Sequence, residues 1–387
     1  MFKSKFKQNL SKTIKRRIKI FLYPFLNVLG SSYIIHFRDD NPKQFELEKY
    51  EISFDFNTHY LRNQKLIKKK NKNIWKRNSY YLIYHDVYLD TFTGAILNKK
   101  IEILKSSLKY HNIRTFTYLS KFKNVFKLNK ENKREKFIFL GSFNEAYFHI
   151  WFDNLIHLYF INLISEDIKI LVGPKIDVKI KELLIDLKLP FKFIFLEDRF
   201  IEVDILYKTK IESWSKHAPI ITPQISSFFK SNILNKIGNE NSKFKRIFIG
   251  RRTNLNRDIK NIDAVLQSLN KYSFKTIFLE DYTILEQAKI FNEADIICGL
   301  HGAGFTNLIF CKEGTKVLEL QNFVNVTTYF VISKQLNLDY FYILPVEFKM
   351  KSIVSPNKDN KKFYKQKLQN TSYSIDKLEK VLADICA

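Results

Sequence analysis

Two patterns take turns along most of this chain. Short apolar runs close on glycine or polar residues, and longer stretches bring an apolar side chain back every three or four positions. From residue 136 the alternation is regular. Residues 137–140 read as a strand, Gly141-Ser142 as a turn and residues 144–163 as a long, aromatic-rich helix. Residues 168–172, 191–196 and 201–207 read as strands, with a helix over 178–187 between the first two. Strand, turn and helix in that order make an α/β unit, and these elements predict one doubly wound sheet.

A helix over 218–237 and the polar residues 238–243 separate this series from a second one. There, strands are expected at 246–250, 274–279, 295–298, 315–320 and 340–344, and helices at 262–269, 283–292 and 327–336. Thr283 and Glu286 stand in capping-box positions. Such alternation predicts a largely parallel sheet flanked by helices. After 295–298 the chain passes through His301-Gly302-Ala303-Gly304 and then turns helix-like, which reads as strand, tight turn and helix N-terminus. Ahead of both series, residues 80–84, 87–89 and 95–97 are β-rich runs separated by His85-Asp86 and Thr93-Gly94, so a small meander is expected there. Residues 351–365 are charged and Pro-interrupted, and 374–385 read as a closing helix capped by Ser374. The division is therefore a basic segment 1–38, an N-terminal α/β part 39–217, a C-terminal Rossmann-like part 218–350 and a tail 351–387.

A chain of 387 residues with 45% hydrophobic and 15% aromatic residues has the material for two folded domains. The net charge of +26 would suit nucleic acid. However, the excess is mostly Lys spread along the chain, and no helix-turn-helix, zinc-finger or RNP-like pattern accompanies it, so nucleic acid is not an expected partner. An anionic substrate or an anionic membrane surface fits better. Residues 2–29 read as a basic, partly amphipathic segment suited to a membrane face, or as a solvated arm. The segment lacks the uninterrupted apolar run of a membrane span. Cys298, Cys311 and Cys386 show neither metal-ligand nor disulfide spacing, which suits a reducing, cytoplasmic setting.

Three constellations can carry chemistry. His149 and Asp153 lie four apart on the expected helix, so the carboxylate can orient the imidazole as a general base; the same pair can also simply clamp the helix. Arg251 and Arg252, at the carboxyl end of a strand and followed by Arg257 and Asp258, offer forked donors to a diphosphate or point into solvent. His301, Gly302, Ala303, Gly304, Thr306 and Asn307 gather several donors in one turn, and Glu319 on the next strand is placed for ribose hydroxyls. The alternative is a glycine turn required only by packing. A dinucleotide site is not expected, because the glycines lack the remaining Gly-x-x-Gly spacing.

Phe148-His149-Ile150-Trp151-Phe152-Asp153, Arg251-Arg252, Leu279-Glu280, Glu286-Gln287, Ala294-Asp295 and the run from Gly299 to Asn307, ending at Gly314 and Glu319, resemble glycosyltransferase family 61 over roughly residues 136–345. Gly250 stands where a Ser commonly precedes the Arg, and Leu300 where a Pro commonly precedes the His. The resemblance extends to bacterial capsular-polysaccharide enzymes. It implies a GT-B fold, two Rossmann-like domains facing across a cleft, here with a small β-rich N-terminal addition. It also implies inverting transfer of a sugar from a nucleotide sugar to a hydroxyl of a glycan or lipid-linked acceptor. His149 would be the base, oriented by Asp153, with Asp153 itself the alternative base. Arg251, Arg252, His301, Gly302, Ala303, Gly304, Thr306, Asn307 and Glu319 would hold the donor. The chain has no Asp-x-Asp triplet, so neither a metal ion nor another cofactor is expected. The alternative from another class is a noncatalytic, membrane-associated scaffold or glycan-binding protein that keeps the fold.

Overall fold

The computed structural model describes residues 37–38, 42–53, 74–104, 126–127, 134–141, 146–164, 167–211, 219–236, 244–252, 258–322, 328–347 and 370–387. The basic segment 2–29, the linker 238–243, the tail 351–365, and Thr253, Asn254 and Arg257 lie outside the described residues.

Among the described residues the first sheet has ten strands. They are β1 (Phe37–Arg38), β2 (Lys43–Ser53), β3 (Ile74–Asp90), β4 (Ala95–Leu97), β5 (Ile103–Leu104), β6 (Phe126–Lys127), β7 (Lys136–Leu140), β8 (Lys169–Val172), β9 (Phe193–Phe195) and β10 (Phe200–Ile211). Their order is β1-β5-β4-β3-β10-β7-β8-β9, with β2 on β3 and β6 on β10. β7, β8 and β9 are parallel, as the α/β alternation predicts. β10 runs parallel to β7 but antiparallel to β3 along nearly its whole length. This corrects the expectation of a doubly wound sheet with a separate meander, because the meander and the α/β strands form one mixed sheet. His85-Asp86 does not break the strand: Asp86 takes φ 51° inside β3, and pairing continues on both sides, with Ile205 opposite His85 and Val203 opposite Val87.

The helices accompanying these strands are α1 (Tyr147–Ile150), a π turn (Trp151–Leu155), α2 (His157–Asn162), α3 (Val178–Asp186) and α4 (Pro223–Leu234). The second series contains β11 (Arg246–Ile249), β12 (Asp258–Ile259), α5 (Ile262–Lys271), β13 (Lys275–Ile277), α6 (Ile284–Glu293) and β14 (Ile296–Leu300). It continues with β15 (Lys316–Leu320), α7 (Thr328–Gln335), β16 (Asp339–Ile343), β17 (Asn370–Thr371) and α8 (Ile375–Cys386). Five of these strands make a wholly parallel sheet ordered β13-β11-β14-β15-β16. The capping box at the start of α6 forms as its sequence predicts.

Alternate residues of this second sheet feed two layers. Phe248, Cys298 and Leu318 pack with Val265 of α5 and with Leu378 and Leu382 of α8. Ile247, Ile297 and Val317 pack with Phe291 of α6 and Val331 of α7. The latter layer does not stop at the sheet. It continues through the helices to Ile138, Leu140 and Ile170 of the first sheet, so the two sheets share one core. Trp151 sits at the crossing, 1% exposed, with its ring 5.4 Å from that of Phe229 and 5.3 Å from that of Phe310. Truncating Phe310 to Ala should therefore leave a cavity costing about 3–5 kcal/mol, read as a lower urea midpoint.

Candidate active site

β11 and β14 lie side by side in the parallel sheet, and their carboxyl ends present Arg251 and His301 together. A Cβ built on Gly302 would stand 3.4 Å from Nη2 of Arg251, so the guanidinium lies against the glycine turn. After the turn the chain forms a 3-10 helix, Ala303–Phe310. The sequence suggested an ordinary helix N-terminus, but here the tighter coil buries every residue from Phe305 to Phe310. The N–H groups of Gly302, Ala303 and Gly304 meet no acceptor among the described residues, which leaves a small cluster of donors at the sheet edge.

His301 is held from below. Glu319, opposite Gly299 in the register, is fully buried, and its carboxylate meets His301 Nδ1 and the Tyr340 hydroxyl. An ionised carboxylate only accepts, so His301 Nδ1 and the Tyr340 hydroxyl both donate. Glu319 thus orients His301, a different position from the ribose-facing strand end read in the sequence. Tyr329 roofs the same place: its hydroxyl donates to the Gly302 carbonyl at 2.6 Å, and its ring lies 5.1 Å from that of His301.

On the other side, His149 and Asp153 meet as their spacing predicts, with Nδ1 and Oδ2 2.9 Å apart. Asp153 accepts from Nδ1, which leaves Nε2 as the nitrogen able to take a proton. The pair spans the junction of α1 with the π turn, a departure from regular helix that often accompanies functional sites. Buried Asn154 donates to the carbonyl of His149 at 3.2 Å. A chain of ring contacts links the two histidines. Phe148 stands 5.4 Å from the His149 ring and 6.2 Å from the Tyr329 ring, which in turn faces His301.

Residues 147–318 match the family model described as Glycosyltransferase 61. The chain carries a glycosyltransferase 61 domain. The match starts at the first residue of α1 and runs into β15, so it takes in both histidines and Arg251. The chain is also similar to the EGF domain-specific O-linked N-acetylglucosamine transferase of Xenopus laevis, 32% identical over 89 residues, 22% of this chain and 17% of that protein. Against the protein of the same name from Mus musculus, identity is 27% over 122 residues, 29% of this chain and 23% of that one. The chain thus spans less than a quarter of the length of the relatives it matches.

The other sequence-read residues of the glycosyltransferase 61 domain sit differently. Arg252 is exposed and engaged by Glu280 and Asp281. The Thr306 hydroxyl is buried, with no hydrogen-bond partner among the described residues. Asn307 is fully buried and bonded at both ends, to Tyr147 and Gln287. Tyr147, Asn154, Gln287, Tyr329 and Tyr340 were not singled out in the sequence. Only Glu286-Gln287, inside the family motif, carried a trace of them.

Gly304 has a steric reason of its own. A Cβ there would stand 2.8 Å from Cδ1 of Leu279 and 3.2 Å from Cγ2 of Ile249. Gly304→Ala should therefore cost about 1–3 kcal/mol through overpacking, measurable as a fall in the thermal midpoint.

Proposed function

We propose that the chain is an inverting, metal-independent glycosyltransferase that moves a sugar from a nucleotide sugar to a hydroxyl of a glycan or lipid-linked acceptor. The observation that carries this reading is the chain of ring contacts, Phe148 to Tyr329, that links a carboxylate-backed, partly exposed imidazole to the element roofing a donor-rich turn. In the proposed reaction, the acceptor oxygen attacks the anomeric carbon and gives its proton to Nε2 of His149, while Asp153 stabilises the imidazolium that forms. The bond between anomeric carbon and phosphate oxygen breaks, and its electron pair leaves with the diphosphate. Arg251, the amides of Gly302, Ala303 and Gly304, and His301 face that developing charge. Attack opposite the leaving group inverts the anomeric centre.

On this reading the arrangement is GT-B, with residues 39–217 on the acceptor side and 218–350 on the donor side. Thr306, Asn307 and Glu319 shape the donor site from beneath rather than touching the donor, and Arg252 braces it from its ion pairs. The named activity of the relatives makes an N-acetylglucosamine nucleotide the first donor to try. A role in surface or capsular polysaccharide synthesis at the inner face of the cytoplasmic membrane, with residues 1–38 on the lipid, belongs to the same proposal. Among the described residues, no helix is long and apolar enough to cross a membrane.

His149→Ala should lower turnover about 10²–10⁴-fold while leaving nucleoside diphosphate affinity, measured by calorimetry, nearly unchanged. Full turnover in that variant would remove His149 from the base role. Excess chelator should leave wild-type turnover intact, and loss restored by added divalent metal would overturn the metal-free mechanism.

A further inference from the structure

The helix that carries His149 follows Ala146, in extended backbone, and among the described residues no side chain caps its first amides. Tyr147, its first residue, holds it instead. The Tyr147 hydroxyl donates to Asn307 Oδ1 at 2.8 Å, and Asn307 Nδ2 donates to Gln287 Oε1 at 2.9 Å. Gln287 Nε2 donates to the carbonyls of Leu279 at 2.8 Å and Tyr282 at 3.1 Å. Those carbonyls bracket Glu280 and Asp281, the two residues that hold Arg252. One relay therefore runs from the helix of the candidate base, through the glycine-turn helix, to the arginine segment.

The relay has one hydrogen-bond sense. Gln287 spends its amide nitrogen on backbone carbonyls, so its oxygen must accept from Asn307, and the Asn307 oxygen is left to accept from Tyr147. Desolvation raises the Tyr147 hydroxyl above its ordinary pKa, which keeps it a donor at any working pH. Asn307 is fully buried and Gln287 nearly so, so water does not compete for these bonds. Below Tyr147 the helix is already secured by Trp151 between Phe229 and Phe310. The hydroxyl therefore governs only the first turn, where His149 lies two residues on.

We infer that Tyr147 is a positioning residue of the reaction: its bond to Asn307 fixes the height of His149 over the glycine turn and so the reach of Nε2 to the acceptor hydroxyl. The inference rests on the reading of His149 as base. It assigns Asn307 to this latch, with its side chain turned away from the diphosphate. A misplacement of the order of an ångström at the base costs up to about 10²-fold in rate, so one hydroxyl suffices to matter.

The test is Tyr147→Phe, which keeps the ring and removes only the hydroxyl, and with it the bond to Asn307 and the contact with the Trp151 indole N–H. It is assayed beside wild type and His149→Ala with UDP-N-acetylglucosamine, or with the nucleotide sugar that wild type turns over fastest. Tyr147→Phe should lower kcat about 10-fold, with donor KM and UDP affinity within about twofold of wild type. The melting midpoint should fall by only about 2–4 °C. An unchanged kcat in Tyr147→Phe with His149→Ala inactive overturns the latch and leaves the base standing. A UDP affinity that falls in step with kcat overturns it too, by placing Tyr147 in the donor pocket. Full turnover in His149→Ala overturns the base assignment itself, and the latch with it.

Discussion

Everything at this site depends on the packing of Trp151 between Phe229 and Phe310. The indole closes the gap between a helix that follows a strand of the first sheet and a 3-10 helix that follows a strand of the second. Aromatic edge contacts of this kind add roughly 0.5–1.5 kcal/mol each beyond the area they bury. Their larger effect is geometric, since a close-packed contact has few alternative arrangements. With Trp151 fixed, His149 and Asp153 are held on the same short segment. The π turn begins at Trp151 itself, so the departure from regular helix falls where the indole packs against both neighbouring helices.

The second constraint is the buried carboxylate of Glu319. A charge removed from water must be matched by nearby donors or it is lost to protonation. His301 and Tyr340 supply that match from two neighbouring elements, and they do so only with the register in which Glu319 faces Gly299 and Tyr342. The absence of a side chain at Gly299 leaves room at this crossing, where an added Cβ would stand 3.1 Å from that of Ile249. The glycines around the turn thus divide by cause. Gly304 admits Leu279 and Ile249, whereas a Cβ on Gly302 would meet Arg251 only at ordinary contact distance.

Much of the second sheet was legible because each element there is local: a run of apolar residues, a cap, a turn. The capping box of Thr283 and Glu286 and the strand leading to His301 follow from neighbours in sequence. So does the pairing of His149 with Asp153, one helical turn apart. The antiparallel union of β3 with β10 was not legible, because partners more than a hundred residues apart leave no periodicity in either strand. The same reason hides Tyr147, which meets Asn307 across 160 positions. The 3-10 coil after the glycine turn was missed because its residues from Phe305 to Phe310 are buried on every side, and such a run fixes burial without fixing pitch.

Asn307 and Glu319 carry the more general lesson. Both have the chemistry to bind a nucleotide sugar, and both stand at the carboxyl edge of a parallel sheet, where such ligands are held. Yet both are fully buried and engaged by protein side chains. Burial also separates the two imidazoles. The His149 pair is about one-third exposed on each side chain, whereas His301 is 13% and Glu319 1% exposed. A group that must collect a proton from an incoming hydroxyl has to be reachable, and a group that must hold a fixed dipole toward a leaving phosphate gains from a dry, low-dielectric setting. On the proposed mechanism the same residue pair, imidazole on carboxylate, is used twice. Its depth in the protein decides which role it plays.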